Sequence, residues 1–128
     1  MPAHVYEYTL IRLVPRVERG ERLNVGVVLF CKGRRFLDAM IDVDEPRIRA
    51  FAPELDLEAV REALDAYPRV CRGGAEAGPL AEMDQAERFR WLAAPRSTVI
   101  QPSEVHTGEG EDPAAEMERL MATMVRSG

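Results

Sequence analysis

Residues 23–31 read Leu-Asn-Val-Gly-Val-Val-Leu-Phe-Cys, and only Asn24 and Gly26 interrupt this apolar run. A strand with one face in water normally alternates apolar with polar residues, whereas a strand buried on both faces reads as a continuous apolar run. The run is apolar at both odd and even positions. It therefore predicts a central strand, around which the rest of a sheet is built.

Two further strands flank the central one in sequence. Residues 5–14, Val-Tyr-Glu-Tyr-Thr-Leu-Ile-Arg-Leu-Val, are rich in aromatic and β-branched side chains, and Pro15 closes the run. A charged loop over residues 16–22 follows. After Lys32-Gly33, apolar and acidic residues alternate over residues 35–43, which is typical of a half-exposed strand. The three runs predict an antiparallel three-strand meander.

The next segment has the apolar spacing of helices. Asp44 followed by Pro46 predicts a short helix that ends before Pro53. Asp56 can cap a longer helix, whose apolar stripe continues until Pro68. Such stripes are typical of core packing.

The second half of the chain mixes loops with shorter elements. Residues 72–79 are rich in glycine and predict a mobile loop. Asp84 and Glu87 have capping-box spacing and predict a third helix that ends at Pro95. Residues 97–100 predict a fourth strand, and the polar residues after it predict a loop.

Asp112 and Pro113 mark the start of a last helix. Its apolar stripe is Met117, Leu120, Met121 and Met124. We interpret this stripe as core packing, with docking on a larger protein as the alternative. The order of elements predicts an α+β fold in a single domain over residues 1–128. We expect a mainly antiparallel sheet of about four strands, with helices packed on one face.

Composition narrows the classes of function. The 128 residues include 17 basic and 22 acidic side chains, for a net charge of -5, which argues against broad nucleic-acid binding. We find no apolar run long enough to cross a bilayer and no signal-peptide pattern, and we expect no membrane partner. The two cysteines form no Cys-x-x-Cys pair. These features predict a cytoplasmic protein.

Residues 88–108 gather groups that bind ligands. They contain the only tryptophan, Trp91, together with three arginines, several hydroxyl groups and His106. Trp91 is interpreted as a core residue, with an exposed stacking platform as the alternative. Arg12 lies in mid-strand among apolar neighbours, where a guanidinium needs a carboxylate partner or a ligand.

Guanidinium, hydroxyl and imidazole groups suit recognition of a phosphate or carboxylate. We therefore predict an anion site in which distant parts of the chain meet in one solvent-filled hollow. Its candidate residues are Arg12, Asn24, Arg96, Ser97, Ser103 and His106. The alternative is structural, because Arg12 can pair with an acidic neighbour and the hydroxyl groups can cap turns.

The sequence supports a catalytic site less well than it supports an anion site. The sequence contains no phosphate-binding glycine loop, no nucleophile elbow and no metal-ligand spacing, and we expect neither a metal nor a cofactor. The favoured hypothesis is a small binding or interaction module that recognises an anionic ligand or a protein partner. The alternative is a hydrolase or transferase acting on a phosphorylated or nucleotide-like substrate, with His106 as the candidate acid/base.

Two segments resemble a known family. The first runs from Tyr6-Glu7-Tyr8 to Arg19-Gly20-Glu21 and the central strand, and the second is Arg88-Phe89-Arg90-Trp91-Leu92 followed by Val105-His106-Thr107-Gly108. Together with the length, they are similar to the bacterial family catalogued as domain of unknown function 3037. The resemblance implies no established activity. The partner that it suggests is a HipA-like kinase.

Overall fold

An antiparallel sheet forms the centre of the protein in the computed structural model, which describes residues 3–96 and 98–126 apart from the side chain of Glu76. Its five strands are β1 (His4–Leu13), β2 (Leu23–Cys31), β3 (Phe36–Ile41), β4 (Ile100–Pro102) and β5 (His106–Gly110). β2 lies between β1 and β3, and both β4 and β5 pair with β1. The α+β class, the antiparallel meander and the inner position of residues 23–31 are confirmed.

In the described part of the chain, four α-helices accompany the sheet: α1 (Glu45–Phe51), α2 (Leu57–Arg72), α3 (Gln85–Ala93) and α4 (Pro113–Leu120), which continues as a π turn (Met121–Val125). Short 3-10 segments occupy Val17–Arg19, Lys32–Arg34 and Gly74–Leu80. Each predicted cap is confirmed, because Asp44, Asp56, Asp84 and Asp112 accept backbone N–H groups in the first turn of α1 to α4. Asp84 and Glu87 form the predicted capping box.

The prediction that helices pack on one face of the sheet is wrong, because both faces are covered. On one side, which we call the α1–α3 face, Val28 and Phe30 of β2 pack with Ile48, Leu64 and Phe89 of the first three helices. On the other side, the α4 face, Val27, Leu29 and Cys31 pack with Met117, Leu120 and Met121. A strand that is apolar on both faces needs cover on both.

The methionine stripe of the last helix belongs to this second core. Met117 is 4% exposed and Met121 is fully buried, whereas Met124 is 42% exposed. The interpretation as core packing is therefore confirmed for the first part of the stripe. The sheet covers the apolar side of α4, and docking on another protein through the exposed Met124 stays a prediction.

Three element boundaries differ from the prediction. α2 continues through Pro68 to Arg72, because the burial of Val70 and Cys71 stabilises its last turn although proline removes one backbone donor. The predicted loop over residues 72–79 overlaps the 3-10 segment Gly74–Leu80, in which Ala77 is buried. The fourth strand covers Ile100–Pro102 rather than residues 97–100.

β5 lies in the segment that was predicted to be a polar loop. It pairs with residues 4–8 of β1. A Cβ atom at Gly108 would lie 2.6 Å from Cζ of Tyr6, so glycine lets the tyrosine ring lie directly against the strand backbone. The need for glycine at position 108 comes from Tyr6, about a hundred positions away. The sequence of β5 itself therefore shows no strand pattern.

Candidate functional site

The predicted site residues lie in separate places. Arg12 and Asn24 are opposite each other on β1 and β2, and Nε of Arg12 donates to Oδ1 of Asn24 at 3.3 Å. Nδ2 of Asn24 donates to the carbonyl oxygen of Met124 at 3.0 Å. This contact places the Arg12–Asn24 pair on the α4 face, beside the π turn.

Arg12 is half-buried in a positive environment. Burial lowers the pKa of its guanidinium, the neighbouring charge of Arg22 lowers it further, and Glu104 opposes both effects. His106 lies close by, with its Nε2 atom 3.5 Å from Oε1 of Glu104 and its ring 5.3 Å from that of Tyr8. Arg12, Asn24 and His106 thus belong to the same side of the sheet.

Ser103 is buried and its hydroxyl group is engaged by neighbours. It accepts the backbone N–H of Leu10 at 2.8 Å, donates to the carbonyl oxygen of Glu104 at 2.8 Å and lies 3.1 Å from the hydroxyl oxygen of Thr9. These contacts join the segment between β4 and β5 to β1. The observed role of Ser103 is therefore structural, and a binding role stays a prediction. Ser97 lies outside the described residues.

Arg96 lies on the opposite side of the sheet, next to the helices of the α1–α3 face. Its Nη1 atom is 3.3 Å from the hydroxyl oxygen of Tyr67, and Nη2 donates to the carbonyl oxygen of Trp91 at 2.5 Å. Its Cζ atom lies 4.6 Å from the centre of the Trp91 ring, which is a cation–π geometry. Arg96 and the Arg12–Asn24 pair therefore lie on opposite faces of the sheet and do not share one hollow.

The interpretation of Trp91 as a core residue is wrong, because 44% of its surface is exposed. The buried residues of α3 are Arg88, Phe89 and Leu92, and Trp91 is turned away from them. It can therefore support a guanidinium on one face of its ring and still meet solvent.

An apolar groove of about 640 Å³ lies beside Arg96 and Trp91. We call it the α2–α3 groove. Its lining residues are Leu55, Asp56, Ala59, Val60, Ala63, Ala66, Tyr67, Val70, Trp91, Leu92, Arg96, Thr98, Val99 and Ile100. Sequence reasoning missed it, although three small residues, Ala59, Ala63 and Ala66, recur along one line of α2 beside its core stripe.

A buried arginine holds the end of α2 against α3. Nη1 of Arg88 donates to the carbonyl oxygens of Val70 at 2.7 Å and Cys71 at 2.6 Å, and Nε donates to that of Met83 at 3.1 Å. A cation is favourable at a helix C-terminus, where carbonyl groups lack helical partners. Arg88 thereby sets the position of α3, which carries one wall of the groove.

The groove and the polar residues on the α4 face are the two candidate sites. Among the described residues, no group of His, Cys, Asp and Glu side chains is placed to hold a metal ion. Within the same residues, no helix is both long and apolar enough to pass through a bilayer.

The comparisons with known proteins identify a family but no activity. No curated protein and no solved structure matches the chain. Residues 8–125, nearly the whole chain, match the family described as protein of unknown function (DUF3037). The segments quoted from both halves of the sequence fall almost entirely within this match. The chain therefore belongs to the DUF3037 family.

Proposed function

We propose that this protein is a cytoplasmic, non-catalytic binding module whose ligand site is the α2–α3 groove. The ligand has an apolar body and one anionic group, a carboxylate or a phosphate. The observation that carries this proposal is the position of Arg96, stacked on the exposed Trp91 at an apolar groove. Among the described residues, Arg96 has no acidic partner.

The groove suits an apolar body. Most of its lining is alkyl or aromatic carbon, and its volume falls within the range of about 300–1,000 Å³ that is typical of small-molecule sites. Trp91 and Val99 expose apolar surface to water, and covering that surface with a ligand lowers the free energy of the system.

Arg96 suits the anionic group. Two N–H groups of its guanidinium donate to Tyr67 and Trp91, and the others have no acceptor in the described part of the chain. The ring of Trp91 holds the guanidinium in place, so little side-chain entropy is lost when a carboxylate binds. Asp56, the acidic residue in the lining, is occupied as the cap of α2.

The test uses Trp91 as a built-in fluorescent reporter, since it is the only tryptophan. We would titrate the protein with decanoate and with adamantanecarboxylate, each paired with the alcohol of the same skeleton. At least one acid should change Trp91 emission and bind more tightly than its alcohol.

The variant Arg96→Gln should weaken binding of that acid about tenfold, because a hydrogen bond to a charged group contributes about 1.5 kcal/mol. The alcohol should be little affected. Arg90→Gln is the matched control, since Arg90 is an exposed arginine of α3 outside the groove lining. Failure of both acids to bind, or equal binding to Arg96→Gln, would overturn the proposal.

The hydrolase or transferase alternative and the HipA-like kinase partner stay predictions. His106, the candidate acid/base, is paired with Glu104 on the face away from the groove. We favour the binding module because the groove offers a concave apolar surface, whereas His106 lies in a largely solvated segment.

A further inference from the structure

We propose that the ligand of the α2–α3 groove is a linear alkyl chain with a terminal carboxylate, bound as a free molecule from solution. This inference rests on the proposed function and specifies the shape of the ligand. It follows from the length of the groove, the polarity of its wall and the position of its charges.

The groove is long. Its lining follows α2 from Asp56 to Val70, which at a rise of 1.5 Å per residue is about 21 Å.

The apolar wall of the groove disfavours an extended peptide. Each peptide unit brings one donor and one acceptor, and an unpaired group in an apolar site costs free energy. Apart from Arg96 and Tyr67, the polar side chains in the lining are already engaged: Asp56 accepts the N–H of Ala59, and Thr98 donates to the carbonyl oxygen of Ile100. An alkyl chain has no such groups to satisfy.

The charges set the direction of the chain. The carboxylate lies at Arg96 and Tyr67, and the alkyl chain runs along Ala63 and Ala59 toward the beginning of α2, where the carboxylate of Asp56 disfavours a second anion. From Tyr67 to Asp56 the groove extends about 16 Å. With C–C bonds of about 1.5 Å, an extended chain advances about 1.25 Å per carbon, so about thirteen carbons fill this length.

The experiment is a chain-length series of linear carboxylates from hexanoate to hexadecanoate, below their critical micelle concentrations, followed by Trp91 fluorescence. Affinity should rise about fourfold per methylene, as expected from about 0.8 kcal/mol for each buried CH₂. It should stop rising between dodecanoate and hexadecanoate. A series without a plateau, or without any rise, would overturn the inference.

Undecanoate and adamantanecarboxylate test shape directly, since they have the same number of carbon atoms. The linear acid should bind at least tenfold more tightly. If the adamantane acid binds equally well and still depends on Arg96, the linear chain is wrong and the proposed function stands. If neither acid binds, both fail.

Two variants locate the chain. Ala59→Phe should fill the far end of the groove, so that the plateau moves to shorter acids while hexanoate binds as before. Glu62→Phe is the control, because Glu62 is an exposed residue of α2 outside the lining. Should Ala59→Phe fail to fold, as judged by circular dichroism, Ala63→Phe serves the same purpose. An unchanged plateau in the folded variant would contradict the proposed direction.

A membrane surface is the other source of alkyl chains. Sedimentation with vesicles of phosphatidylcholine and phosphatidylglycerol should leave the protein in the supernatant. Binding to these vesicles without binding to any free carboxylate would overturn the proposed source.

Discussion

Removing the guanidinium of Arg88 should destabilise the whole fold, although it is a single side chain far from both chain ends. The change is Arg88→Met, which keeps much of the length and apolar character and removes the three hydrogen bonds to Val70, Cys71 and Met83. The carbonyl oxygen of Val70 would keep the N–H of Gly73, whereas that of Cys71 would lose the donor that Arg88 supplies.

The magnitude follows from opposing effects. Each carbonyl oxygen left without a partner costs about 1–3 kcal/mol, while the variant no longer has to bury a charge. We expect a net loss of about 3 kcal/mol in the free energy of unfolding, a large part of the about 5–15 kcal/mol of a typical domain. Urea denaturation followed by circular dichroism measures it.

The control is Arg90→Met on the same helix, which is exposed and should change the free energy of unfolding by less than about 0.5 kcal/mol. A double-mutant cycle with Gly73→Ala adds a second check. A Cβ atom at Gly73, whose φ is +73°, would lie 3.0 Å from Nη1 of Arg88. Gly73→Ala should therefore lower the free energy of unfolding less in the Arg88→Met variant than in the protein that keeps Arg88. A loss below about 1 kcal/mol for Arg88→Met would refute the reasoning.

Three further outcomes are expected. Ser103→Ala should lower the free energy of unfolding by about 1–3 kcal/mol in urea denaturation, since the N–H of Leu10 loses its acceptor. Burial raises the pKa of the Cys71 thiol to about 12, so iodoacetamide should alkylate it only after unfolding, as mass spectrometry would show. Hydrogen bonding to Arg49 lowers the pKa of Glu45 below its usual 4.5, so the thermal stability advantage over Glu45→Gln should be present at neutral pH and disappear as the pH falls through the lowered value.

The sequence was most informative where local signals and burial agree. The apolar run of β2 identified the inner strand, and the four aspartate caps located the helix starts, because a cap depends only on nearby backbone. Pro68 misled the prediction, since tertiary packing of the last turn outweighs the lost backbone donor.

The candidate site was harder to predict because it depends on how helices are placed. Whether Trp91 is buried depends on which side of α3 faces the sheet, and Arg88, Phe89 and Leu92 take the buried positions. The sequence identified Arg96 as an anion-binding candidate, but not its separation from Arg12 and His106 by the sheet. The groove itself is formed by residues from two helices and the strand segment after them, so its residues are not contiguous in the sequence.

The packing of α4 on its own face of the sheet affects how the chain folds while it is being synthesised. Tyr6 of β1 donates a hydrogen bond to Glu116 of α4 across 110 positions, and every strand emerges from the ribosome before α4 does. Until then, the nascent chain leaves Val27, Leu29 and Cys31 without their cover. Contacts of such long range slow folding and expose apolar surface to aggregation. Chaperone demand should therefore be greatest just before α4 emerges from the ribosome.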